Sequence, residues 1–225
     1  MIKVWGRKTS SNVQAVMWSI GELGLAYERY DCGHRYGGLD TPEFLSMNPN
    51  GLIPVVRDGD GEPLWESSAI LRYLAHRYGR APYWPDDLAT RTRIDKWAEW
   101  SKINIALNFT GPIFWQVVRT PPARQNPDAL KHAIGVLDRY LDIAEKQLTV
   151  APFLWGDHLT LADIQFGHLL YRYFDLDIER RELDDPFDSH FLRQQCSGLV
   201  PLGNRRTNVN QVESVGSSEG VPDRT

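Results

Sequence analysis

The chain has 225 residues, enough for two small domains or one large one, and its 42% hydrophobic and 24% charged residues fit a globular protein rather than a disordered or membrane-embedded one. A formal net charge of −4 with no basic run excludes an ordinary nucleic-acid binder, which needs surplus Lys and Arg to displace counterions from phosphates. Cys32 and Cys196 are too few for a disulfide framework, a cysteine-rich zinc site or a Cys-x-x-Cys redox pair, and no apolar run has signal-peptide or bilayer length, so reduced thiols, no metal and a cytoplasmic location are expected.

Residues 2–5 form a short β-rich run, and the spacing of Val13, Val16, Met17, Ile20 and Leu23 then predicts a helix that stops at Gly24. A second strand is expected over 27–31. A loop rich in Gly, Asp and Pro follows over 33–50, with a short helix over 42–46, and leads into a third strand at 53–56. Asp58-Gly59-Asp60-Gly61 predicts a tight turn, so 62–66 should return antiparallel as a fourth strand. Ser67 or Ser68 then caps a helix carrying Ile70, Tyr73, Leu74 and Tyr78, closed by Gly79.

Residues 80–87, with Pro82 and Pro85, lack periodicity and read as a linker. Beyond them only helical signals occur. A long helix is expected over 89–108, bearing Trp97 and Trp100, with a shorter one over 114–118 beyond Pro112. Asn126 and Pro127 are the N-cap and first position of a helix striped by Leu130, Ala133, Ile134, Leu137, Leu141, Ala144 and Leu148. Thr160 and Asp163 make a capping box with Asp in place of Glu, flanked by Leu159 and Ile164 as a hydrophobic staple, and a helix to about residue 174 follows.

Three places could carry chemistry. Pro54 removes a ladder donor from an apolar strand, which calls either for an edge strand or for a cis Ile53-Pro54 bond that turns the backbone of Val55 toward an extended peptide. Glu66-Ser67 stands where a strand meets a helix N-terminus, a place for an anion, although a serine there also simply caps its helix. Ser10-Ser11-Asn12 occupies the matching position before the first helix, with the same two readings.

Taken in order, Ser10-Ser11-Asn12-Val13-Gln14, the run from Asn48 to Val55, the run from Trp65 to Leu74, and Leu159-Thr160-Leu161-Ala162-Asp163-Ile164 resemble the cytosolic glutathione transferases, in a bacterial, serine-type or theta-like class. The resemblance covers about residues 1–183 and implies an α/β thioredoxin-like N-terminal domain (1–80), a linker (81–87) and an all-α C-terminal domain (88–183). It implies glutathione as co-substrate, held by Ile53, Pro54 and Val55 along its peptide backbone and by Glu66 and Ser67 at its γ-glutamyl end. Ser10 is the best-matched residue for stabilising the glutathione thiolate, with Ser11 and Asn12 as rivals.

No tyrosine or cysteine stands between Ile2 and Asn12, which sets aside the tyrosine- and cysteine-type classes, and the zeta-type Ser-Ser-Cys signature is unmatched. His34 and Arg35, after the second strand, reach the glycyl carboxylate or are solvated loop cations. Phe109, Phe114, Trp115 and Arg119 line the electrophile pocket or belong to the core, and Cys32 is a buried spectator. The family further implies a small electrophile or a disulfide or peroxide as partner, a homodimer and a role in detoxification, with a non-catalytic binding or scaffold protein of the same fold as the alternative.

Past about residue 183 the resemblance stops. Residues 184–225 carry no helical or strand period and are expected to form a mobile tail, arising from a shifted reading frame or another abnormal gene end. Loss of the usual last helix is expected to uncover part of Phe166, Leu169, Leu170 and Tyr173.

Overall fold

Ile2 and Val4 point to one side of the first strand, β1 (Ile2–Trp5), and are 2% and 0% exposed, because this strand lies inside a four-stranded sheet. The computed structural model describes residues 1–181, so the expected tail at 184–225 and its proposed origin lie outside the described residues. β2 (Tyr27–Tyr30) runs parallel to β1, β3 (Val55–Asp58) antiparallel to it, and β4 (Leu64–Trp65) antiparallel to β3, giving the order β2-β1-β3-β4. The hairpin registers Val55 against Trp65, as the Asp58–Gly61 turn predicts, but β4 is shorter than expected.

Two helices cover the sheet. α1 (Ser11–Glu22) and α3 (Ser67–Tyr78) pack Val16, Ile20, Ile70 and Leu74 onto Ile2, Val4 and Val56, all buried. α1 ends at Gly24, whose φ of +63° is the left-handed geometry that glycine adopts without a Cβ penalty. Gly79 closes α3 as expected, with an extended backbone (φ −66°, ψ 151°), and is required by space, since a Cβ there would fall 2.5 Å from the Ala75 carbonyl oxygen. The short α2 (Pro42–Met47) is capped by Thr41, whose hydroxyl accepts the Phe44 N–H at 3.2 Å.

The segment read as a linker is anchored by Trp84, 3% exposed in the core of the helical part. α4 (Leu88–Trp100) then runs on without a break through a π-helical stretch (Ser101–Ala106), α5 (Leu107–Phe109), a second π stretch (Thr110–Trp115) and α6 (Gln116–Val118). The break expected at Pro112 is thus absent. A proline lacks the donor for the ordinary ladder, and the widened π register takes it up. Ser101 Oγ and Asn104 Nδ2 donate back to the carbonyls of Trp97 and Trp100 at 2.8 and 3.1 Å, where the helix enters the π register.

α7 (Pro127–Val150) opens as the sequence predicts, Asn126 accepting the Ala129 N–H at 3.1 Å, and packs on α5 and the two π stretches, its stripe sharing one core with α8 (Leu161–Asp175). Both halves of the capping box at Thr160 and Asp163 form. Phe166, Leu169, Leu170 and Tyr173 are each no more than 2% exposed, so the expected loss of cover is not found there. Trp100 and Phe109 supply ring contacts to Phe166 and Tyr173. α8 also joins the two halves, with Ile164 buried against Ala15 and Trp18 of α1 and Leu71 of α3. Each large apolar side chain buried in this way contributes about 1.5–3 kcal/mol. The architecture is a thioredoxin-like sheet domain followed by an all-helical one, as expected.

Candidate functional site

The sequence-predicted residues gather where the N-termini of α1 and α3 meet the start of β3. Gly6, at φ +152°, permits this, because a Cβ there would lie 2.5 Å from Val13 Cγ2 and 3.4 Å from Ile53 Cβ. The entry to α1 and the Ile53-Pro54 segment are therefore neighbours. Ser10 is the N-cap of α1 by its extended backbone, and its carbonyl accepts the Gln14 N–H at 2.9 Å, yet its side chain makes no capping bond. A free hydroxyl thus stands at the positive end of a 12-residue helix. Ser11 and Asn12 are the first two residues of that helix, both half-buried.

The Ile53-Pro54 peptide is cis, and Pro54 is buried. The third strand begins one residue later than the proline rather than at Ile53, so Pro54 displaces no ladder donor. Nor is β3 an edge strand, since Val55 faces Trp5 on one side and Trp65 on the other. The preceding loop is fixed by Asn48, 3% exposed, whose Nδ2 donates to the Leu52 carbonyl at 2.8 Å and whose Oδ1 accepts the Asn50 N–H at 3.1 Å.

At the other end of the site neither Ser67 nor Ser68 caps α3. The N-cap is Glu66, an exposed non-glycine residue at φ +67°, ψ 111°, and no side chain takes the cap bond. Backbone of this kind costs of order 1–3 kcal/mol and concentrates at ligand sites. Ser67 is 2% exposed and its Oγ has no hydrogen-bond partner, whereas Ser68 Oγ donates to Gln165 Oε1 of α8 at 3.2 Å. Lys102 lies within electrostatic reach of Glu66 and Glu99, while its burial pushes the ammonium below the ordinary lysine range.

His34 and Arg35 fall on a turn after β2, both exposed, and His34, at φ +56°, is the second of the two non-glycine residues with positive φ among those described. His34 borders a shallow cavity of about 350 Å³ together with Gly33, Gly37, Leu39, Asp40 and Gly51. Arg35 does not line it; its Nη2 donates to the Tyr36 hydroxyl at 2.8 Å. Cys32, 8% exposed, is buried as expected, and burial followed by the nearby Asp31 charge pushes its thiol up to about 11.

The four residues of the second pocket divide. Phe109 is 1% exposed and belongs to the core; Phe114 is partly buried, and Trp115 is 47% exposed with the Arg119 guanidinium 5.2 Å from its ring centre. One contributor escaped the sequence reading. Arg172 of α8 reaches across to the loop before α1, donating to the Thr9 carbonyl at 2.6 Å and to Gln14 Oε1 at 2.9 Å. Its position in the sequence gave no signal, because the partner loop lies more than 150 residues earlier in the chain.

Comparison with known proteins bears on this site. The family described as "Glutathione S-transferase, N-terminal domain" matches residues 9–77, and "Glutathione S-transferase, C-terminal domain" matches residues 107–186. The chain is 35% identical to "Glutathione S-transferase GstB" of Escherichia coli K12 over 78% of its own length and 85% of that protein. It is 30% identical to "Disulfide-bond oxidoreductase YghU" of the same organism, over 71% of its length and 54% of that protein. Among solved structures, a theta class glutathione S-transferase from Xanthomonas axonopodis pv. citri with glutathione bound is 38% identical, with a TM-score of 0.77 covering 85% of this chain and 90% of that one.

Proposed function

Since the chain belongs to the glutathione S-transferase family, we propose that it binds glutathione along the rim formed by α1, β3 and α3 and activates its thiol for attack on a second substrate. In this reading the peptide backbone of glutathione lies along Ile53, Pro54 and Val55. Its γ-glutamyl carboxylate takes the Ser67 hydroxyl and the free N–H groups at the start of α3, and Glu66 receives its ammonium. His34 serves the glycyl end, and Arg35 joins it by leaving Tyr36. The same reading divides the chain at 1–80, 81–87 and 88–183 and makes it a cytoplasmic homodimer acting in detoxification.

The observation that carries the reading is the buried Ser67 Oγ without a partner, beside a positive-φ Glu66 at a helix N-terminus. An orphaned buried hydroxyl costs about 1–3 kcal/mol, which a bound carboxylate recovers. Ser10 supplies the chemical step. An ordinary thiol has a pKa of ~8.5, and lowering it by ~2 units takes ~2.7 kcal/mol of preferential anion stabilisation, within reach of a hydroxyl bond and the α1 dipole together. The thiolate then attacks an electrophilic carbon, or a disulfide or peroxide; the likeness to YghU supports including the disulfide among its targets.

Two measurements test this. Calorimetric titration of the folded protein should give saturable glutathione binding in the millimolar range or tighter. Conjugation kinetics should then fall about 10- to 100-fold in Ser10→Ala, and an equal loss in Ser11→Ala or Asn12→Ala alone would move the role there. No binding at millimolar glutathione refutes the proposal; binding without turnover against a panel of electrophiles, disulfides and peroxides leaves a scaffold protein.

A further inference from the structure

Arg7 and Arg172 meet at the loop that carries Ser10, and Arg119 lies within electrostatic reach of both. Arg7 sits in the same turn as Ser10, whose N–H donates to the Arg7 carbonyl at 3.1 Å. Arg172 reaches over from α8 to the Thr9 carbonyl and also lies 5.3 Å from the centre of the Phe114 ring. Arg119 follows α6, stacked on Trp115 at the exposed end of the same helix. Their charges act on one another: burial first and then Arg119 hold the Arg7 guanidinium below its ordinary range, and burial and Arg7, with Arg119 adding less, do the same to Arg172 against the opposing pull of Tyr171 and Asp175.

Repulsion of this kind is normally relieved by a carboxylate. Among the described residues none of the three arginines makes an ion pair; the salt bridges formed use Arg29, Arg72, Arg91 and Arg181. Arg172 Nε, moreover, is buried with no hydrogen-bond partner. A neutral apolar electrophile would find aromatic surface at Phe114 and Trp115 but would leave these donors unused. An anionic one would use both.

We propose that the second substrate of this site is an electrophile bearing an anionic group, a carboxylate being the simplest, held by Arg7 and Arg119 with Arg172 behind them while Phe114 and Trp115 take its apolar part. The inference rests on the glutathione reading above and narrows its substrate class. For an unsaturated ketone the glutathione sulfur forms a bond to the β-carbon, the C=C pair moves to give an enolate, and the enolate takes a proton from solvent at the α-carbon. Nothing is oxidised or reduced. The anionic group stays outside the reacting atoms and serves only to hold and orient.

The test uses a matched pair, 4-phenylbut-3-en-2-one and its ring para-carboxylate, with the full chain as wild type, Arg7→Met, Arg119→Met and, as a control that removes a charge elsewhere, the exposed Arg124→Met. Two ratios are read, carboxylate over neutral: kcat/KM for conjugation, and the affinity of the two purified glutathione conjugates by calorimetry. Wild type should favour the carboxylate about tenfold or more in both. Arg7→Met and Arg119→Met should bring both ratios to within about threefold of one, and Arg124→Met should leave them as in wild type.

The conjugate affinities keep the test open even if neither ketone turns over. A wild-type ratio near one overturns the proposal. So does an equal fall for both compounds, because that would place the arginines at the thiolate or the fold. Titration with glutathione alone, run beside these, shows separately whether the underlying binding site exists.

Discussion

His168 of α8 is 1% exposed and neither of its ring nitrogens has a hydrogen-bond partner among the described residues. Burial, with Lys102 and Arg172 adding to it, pushes the imidazole from 6.5 down to about 3. Its folded pKa is therefore depressed, so the unfolded chain takes up a proton near pH 6.5 that the native state refuses until about pH 3. The stability linked to this group is complete above pH 6.5 and is lost as pH falls toward 3. Between pH 7.5 and 4.5 the loss integrates to about 3 kcal/mol.

Five residues earlier on the same helix, Asp163 works in the opposite direction. It is wholly buried and accepts the Leu154 and Thr160 N–H groups and the Thr160 hydroxyl, each at 2.8 Å. Those donors favour the anion, but burial outweighs them and raises the carboxyl from 3.8 to about 6. A raised folded pKa gives stability that is gained as pH falls through 6, about 2 kcal/mol over the same interval. The two groups oppose each other in wild type, and single variants separate them.

The assay is urea unfolding followed by tryptophan fluorescence at pH 7.5 and 4.5, at one fixed protein concentration. His168→Gln should raise the pH 4.5 stability relative to pH 7.5 by about 3 kcal/mol over the wild-type difference, and Asp163→Asn should lower it by about 2 kcal/mol. Packing changes from either substitution are common to both pH values and drop out of the comparison. If His168→Gln and wild type lose stability in parallel, the imidazole does not refuse its proton and the reasoning fails.

Ser67→Ala should weaken glutathione binding about tenfold in calorimetry while leaving urea stability unchanged or slightly higher, because it removes an orphaned hydroxyl; a loss of ~1 kcal/mol would instead mark Ser67 as a helix cap. Asp163→Ala should cost about 3–5 kcal/mol at pH 7.5 in the same unfolding assay, since it strands three buried donors at once, and a cost below ~1 kcal/mol would deny the capping box that role. In a Cys196→Ala background, Cys32 should react with a disulfide reagent at pH 8 at least 100-fold more slowly than free glutathione, its burial holding it far from the thiolate. Labelling at the free-thiol rate would place Cys32 at the surface.

Much of the fold was legible because it depends on local rules: the period of α7, the caps at Asn126 and Thr160, the turn before β4 and the left-handed Gly24 all follow from residues within a few positions of one another. The sequence reading failed where distant contacts decide. Pro112 reads as a breaker, yet the helix around it widens to a π register. Ser67 reads as a cap, yet the chain enters α3 through a positive-φ Glu66 and leaves that hydroxyl unspent. A local rule broken at a conformational cost points to a ligand more strongly than a rule obeyed, since a simple N-cap at Ser67 was available at no strain.

The arginines follow the same logic at longer range. The sequence reading singled out Arg119 and passed over Arg7 and Arg172, because only folding brings their charges within reach of one another. Bringing like charges close opposes folding, so the native state is poised to gain from an anion there, just as α3 is poised to gain from a carboxylate at Ser67. In the proposed reading one unmet demand suits the γ-glutamyl end of glutathione and the other its reaction partner. On the proposed reading the reacting sulfur sits at Ser10, where the positive end of α1 favours its charged form.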